Sequence, residues 1–95
     1  MRRPPLNRQD AEAIAFAGLS MLAAEPERMM RFFSLSGLDP ANIRELARLP
    51  AFQAAVLAHI RGDESLLLAF AANQGIDPVD VGKAEAVLSG ERQDR

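Results

Sequence analysis

Cysteine, tryptophan and tyrosine are all missing from this 95-residue chain, and each absence removes a class of explanation. Without cysteine there is no disulfide, thiolate metal site, iron–sulfur cluster or thiol nucleophile, and a reducing compartment is the natural setting. Five phenylalanines supply all the aromatic content. With so few aromatic and β-branched residues and no sustained two-residue alternation, no strand is expected. Long apolar runs are lacking too: the longest, Leu66–Ala72, falls far short of the roughly 18 residues a membrane helix requires. The opening MRRPPLNRQD carries arginines, but Pro4, Pro5, Asn7 and Asp10 interrupt any apolar leader core. The expectation is a soluble, cytoplasmic protein. Finally, there is no excess of positive charge. The 11 basic and 13 acidic residues leave a net charge of −2, which argues against general nucleic-acid binding, where phosphate contacts need concentrated cations.

What the chain does have is apolar material, 48% of its residues, enough for one small domain built around one core. It also has an internal echo. Phe32, Gly37, Leu38, Asp39, Pro40 and Ile43 recur as Phe70, Gly75, Ile76, Asp77, Pro78 and Val81, each displaced by 38 positions. In each copy glycine takes the left-handed conformation that closes a helix, aspartate caps the next, and proline occupies a first helical position that needs no N–H. Leu38 and Ile76 stand five residues before Ile43 and Val81, the spacing of a hydrophobic staple. Ile14/Phe52, Leu19/Leu57, Leu22/Ile60, Glu25/Asp63 and Met29/Leu67 match at the same displacement.

These signals predict an all-α single compact domain of about six short helices in two similar three-helix halves. The helical domain spans 7–89, its halves about 11–48 and 49–88, between a flexible arm over 1–6 and a disordered tail over 90–95. Asn7 caps helix one, whose stripe Ala11, Ile14, Ala15, Gly18 and Leu22 runs to about Ala24. Pro26 opens helix two, to Ser36. A short helix three carries Ile43, Leu46 and Ala47 inward before Pro50 opens helix four, with Phe52, Ala55, Val56, His59 and Ile60 inward. Gly62-Asp63 separates it from helix five, and helix six ends at Ser89-Gly90. Helices two and five are apolar over most of their circumference, which predicts that they contribute the largest apolar surfaces and that helix two is central.

The succession G-L-D-P, P-A-F, G-D-E-S-L-L-L-A-F and G-I-D-P, within Ala11 to Leu88, resembles a family of small alphaproteobacterial proteins, domain of unknown function 3572. The resemblance implies a helical bacterial protein whose genes are associated with signalling genes. It carries over no catalytic residue.

Each candidate for chemistry has a structural explanation beside it. His59, the sole histidine, falls on an apolar stripe with no second histidine or cysteine for a metal shell, so a packed or boundary histidine is the better reading. Asp39 and Asp77 suggest paired carboxylates, but capping already accounts for them. Arg28, Arg31, Arg44 and Arg48 stand at helical spacings that suggest a basic patch for nucleic acid. Against that, Glu27 is placed to pair with Arg31 and Glu45 with Arg48, and no aromatics interleave. Met29, Met30, Phe32 and Phe33 offer either core or an exposed, adaptable interaction surface. The expectation is a non-enzyme without metal or cofactor: a protein-interaction or adaptor module, with a protein partner or self-association. The alternative is a carrier or sensor of an apolar small molecule in a cavity lined by Met29, Met30, Leu67 and Phe70. Nucleic-acid binding is the weaker third reading.

Overall fold

The computed structural model describes residues 6–90. Asn7 opens the first helix, α1 (Arg8–Ala23), its Oδ1 accepting the Asp10 N–H at 2.7 Å. Pro26, at the first position, starts α2 (Pro26–Ser36). A 3-10 turn (Pro40–Asn42) leads into the single turn of α3 (Ile43–Leu46). Pro50 then opens α4 (Pro50–Arg61), Asp63 caps α5 (Glu64–Gln74), and Asp77 with Pro78 launches α6 (Pro78–Ser89). Among the described residues there is no strand, and no helix is long and apolar enough to cross a membrane. The arm and tail expected over 1–6 and 90–95 lie outside the described residues, except for their inner ends. Leu6 packs against the core, and Gly90 closes α6 with a left-handed φ of 78°.

Both corners take the expected form. Gly37 and Gly75 have φ of 75° and 67°, a conformation penalised for any residue bearing a Cβ. Asp39 Oδ1 accepts the Ala41 N–H at 3.0 Å, and Asp77 Oδ1 the Val79 N–H at 2.9 Å. The corners differ in how the preceding helix closes. After α5 the Ile76 N–H returns to the Ala71 carbonyl at 3.0 Å. After α2 the Ser36 hydroxyl mediates, donating to the Phe33 carbonyl and accepting the Leu38 N–H.

The centre is formed by α1, α4 and α6, which pack on one another more extensively than on any other helix. Small residues let α1 come close: its buried face is Ala11, Ala15, Gly18 and Leu22. A Cβ at Gly18 would lie 2.9 Å from Ile60 Cδ1 and 3.3 Å from Val56 Cγ1. α4 contributes the broadest buried set, Phe52, Ala54, Val56, Leu57 and Ile60. An ion pair at 2.6 Å between Arg61 and Glu85 joins α4 to α6, and the Arg61 stem passes beside Gly82.

Helix α2 is peripheral, contrary to the expectation from its apolar breadth. It buries only Phe32 and Phe33, while Met30 and Leu35 are 71% and 69% exposed. α6, twelve residues long, packs along both α1 and α4, whereas α2 meets the same two helices less extensively, through a narrower attachment. That attachment is aromatic. The Phe32 ring meets Phe33 and Phe52 edge-on, with centroids 5.3 and 5.7 Å apart. α5 likewise buries Leu66, Phe70 and Ala71 but leaves Leu68 exposed. The two third helices are unequal in length, four residues in α3 against twelve in α6.

Two substitutions separate backbone strain from packing. A Cβ at Gly75 meets nothing within 4 Å, so Gly75→Ala is expected to cost about 1 kcal/mol through its left-handed φ alone. Gly18→Val drives methyls into Ile60 and Val56, and overpacking is expected to remove about 1–3 kcal/mol or more. Urea melts of the two variants check both values.

Candidate functional site

The α2–α4 junction leaves a groove on the surface. Its apolar part, about 340 Å³, is lined by Phe32, Leu35 and Ser36 from α2 and by Ala55, Ala58 and His59 from α4. A second recess of about 510 Å³ adjoins it, between Arg28, Arg31 and Leu35 on one side and Gly62, Asp63, Glu64 and Leu66 on the other. Alanines make the floor low because they carry no side chain beyond Cβ. Leu35 and His59 border both parts.

His59 comes from the last turn of α4, where it stands edge-on to Phe32 with ring centroids 5.3 Å apart. Burial pushes its pKa below the ordinary 6.5 and the Arg31 guanidinium pushes the same way, while Asp63 opposes them. The imidazole is therefore mainly neutral near pH 7 and acts as a polar edge on an apolar wall. Asp63 is committed to its own helix, with Oδ1 accepting the Leu66 N–H at 3.2 Å. Arg28 pairs with Glu25 at 3.5 Å on the exposed surface, and the pairs foreseen between Glu27 and Arg31 and between Glu45 and Arg48 do not form. Arg31 thus presents its charge to the groove without an ion-pair partner among the described residues.

The site residues anticipated from sequence are divided by the fold. Phe32 and Phe33 belong to the core, Met29 is half-buried, and Met30 faces outward over a shallow surface with Glu27, Arg31 and Ser34. The cavity expected from Met29, Met30, Leu67 and Phe70 is not enclosed by them: Met30 is 71% exposed while Phe70 is fully buried. Arg28 and Arg31 line the groove, whereas Arg44 and Arg48 lie on and after α3 and do not. Asp39 and Asp77 each serve the cap of their own corner. Among the described residues no three of His, Cys, Asp and Glu gather as metal ligands would.

Two residues escaped the sequence reading. Leu35 lies on the helix expected to be central, yet it forms the groove rim. Gln53 was passed over, although it stands four residues before Leu57 and seven before Ile60, on the inward stripe of α4. That spacing marked it as a polar group carried into the interior.

The His59 shift fixes a pH dependence. Because the folded pKa lies below the unfolded value, the unfolded chain binds the proton more readily between the two. Stability from this residue is complete above about pH 6.5 and is lost as pH falls toward the lowered folded pKa. Denaturation midpoints measured from pH 7.5 to 5 are expected to decline in the native protein and to decline less in His59→Gln. Equal slopes would contradict the assignment.

Comparison with known proteins adds a family but no function. No curated protein and no solved structure matches the chain. The model of one family matches residues 8–91, from the start of α1 to just beyond α6. The chain therefore belongs to the family described as Protein of unknown function (DUF3572).

Proposed function

We propose that this protein is a non-enzymatic interaction module that takes a segment of a partner protein into the groove between α2 and the α4–α5 junction. The observation that carries this reading is the adjacency of the two recesses: an apolar trough over Phe32, Ala55 and Ala58 shares Leu35 and His59 with the recess that Arg31 lines. A partner segment with an apolar anchor and, one turn away, a carboxylate matches that succession. The anchor displaces water from the trough beside Leu35, and the carboxylate meets the guanidinium of Arg31. Arg31 and Leu35 are four residues apart on α2, on one face.

The peripheral position of α2 supports the same reading. A helix held by two phenylalanines on one side offers its remaining circumference to a partner at little structural cost. Exposed Met30 adds an adaptable apolar margin.

Affinity capture with variants tests the proposal. Leu35→Glu and Arg31→Glu change exposed groove residues, and Val79→Glu changes an exposed residue of α6, outside the groove. A specific partner recovered by the native chain is expected to be retained by Val79→Glu and lost from both groove variants, each keeping its helical spectrum. Equal recovery by all three would sink the proposal, as would a partner lost only from Val79→Glu.

A further inference from the structure

Displacement by 38 positions sets Phe16 against Ala54 and Leu19 against Leu57. Ala54 and Leu57 are buried, at 8% and 0% exposure, but Phe16 is 66% exposed and Leu19 is only half-buried. The third helices differ as well. α6 runs its full twelve residues along α4 and α1, whereas α3 stops after four because Pro50 opens the next helix. A flank of the α1–α4 pair that a longer helix would cover is left open.

That flank is a shallow apolar depression between Phe16 and Leu19 of α1, Ala47 beyond α3, and Phe52 and Val56 of α4. Leu49, 49% exposed, adds apolar surface on the segment just before α4. Gln53 also lines it. Its Nε2 donates to the Ala47 carbonyl at 2.9 Å, which orients the amide and leaves Oε1 buried with no partner. Free space there is about 10 Å³, room for about one water or one donor group. Arg44 and Arg48 are exposed close by in sequence, without an ion pair among the described residues.

We infer that this flank is a second docking site, and that its occupant is an amphipathic α-helix of a partner protein. Apolar residues three and four apart cover Phe16, Leu19 and Leu49, a side-chain donor reaches Gln53 Oε1, and flanking acidic residues meet Arg44 and Arg48. α6 shows the chemistry that suits the corresponding flank: a stripe of Val81, Ala84 and Leu88, with Glu85 pairing to Arg61. The depression shares no lining residue with the α2 groove, so the two sites stand or fall separately.

The probe is an acetylated, amidated peptide of residues 77–90, titrated into the ¹⁵N-labelled full chain. Saturable amide shifts are expected at Phe16, Leu19, Ala47 and Gln53, with affinity reduced at least tenfold in Phe16→Glu and in Leu49→Glu. Both positions are exposed, so the melting temperature is expected to hold, and Arg48→Glu provides a third variant, with affinity reduced several-fold. No shift at millimolar peptide would overturn the inference. So would shifts confined to Ala54 and Leu57, through exchange with the resident α6, or concentration-dependent shifts without peptide, which would assign the flank to a second copy of the chain.

Discussion

The close approach of α1 to α4 at Gly18 is the constraint from which the other packing follows. With no Cβ at that position, the two backbones come near enough for Ile60 and Val56 to fill the space a side chain would take. Two helices so close offer a continuous flank, and α6 lies along it, joined to α4 by Arg61 and Glu85. α2 and α5 lie outside this centre, each attached by one strip: Phe32 and Phe33 in α2, Leu66, Phe70 and Ala71 in α5. The energetic weight is uneven in consequence. Burying one phenylalanine yields about 1.5–3 kcal/mol, so α2 is held by a few such contributions while α4 is held from several sides.

This arrangement turns a shortage of core into surface. A chain of 95 residues that is 48% hydrophobic has more apolar side chains than a three-helix centre can enclose. The excess comes out where helices are thin or short: Met30 and Leu35 on α2, Phe16 and Leu49 around the truncated α3. Scattered exposed apolar residues are ordinary on a folded protein. Here each pair adjoins a recess and a charged or unsatisfied polar group, Arg31 and His59 in one case, Gln53 Oε1 in the other. On the proposed reading, that juxtaposition is what distinguishes these surfaces from leftover hydrophobicity.

Much of the fold was legible in local sequence because its signals are local. Gly37, Asp39 and Pro40, with their counterparts Gly75, Asp77 and Pro78, fix helix ends through φ, side-chain capping and the missing N–H, none of which waits on tertiary contacts. The inward stripe of α1 was legible too, since Ala11, Ala15, Gly18 and Leu22 are small or apolar and recur at helical spacing. The standing of α2 was not. Apolar breadth records how much of a helix tolerates burial, whereas which side is covered depends on where α1 and α4 lie against it, which is a tertiary matter. The candidate site suffered the same way: Arg31 and His59 were each visible, but their meeting across Phe32 is tertiary. The exposed pairs Glu27–Arg31 and Glu45–Arg48 failed because helical spacing permits such contacts without making them worth more than a few tenths of a kcal/mol.

Native-state hydrogen exchange tests the division between an anchored centre and a lightly held α2 most directly. The account requires the slowest amides of α1, α4 and α6 to exchange only through global unfolding, with a denaturant dependence equal to that of the whole protein. Those of α2 should exchange faster, through a local opening that releases Phe32 and Phe33 and depends weakly on denaturant. Protection of α2 equal to that of α4, with the same denaturant dependence, would contradict the account.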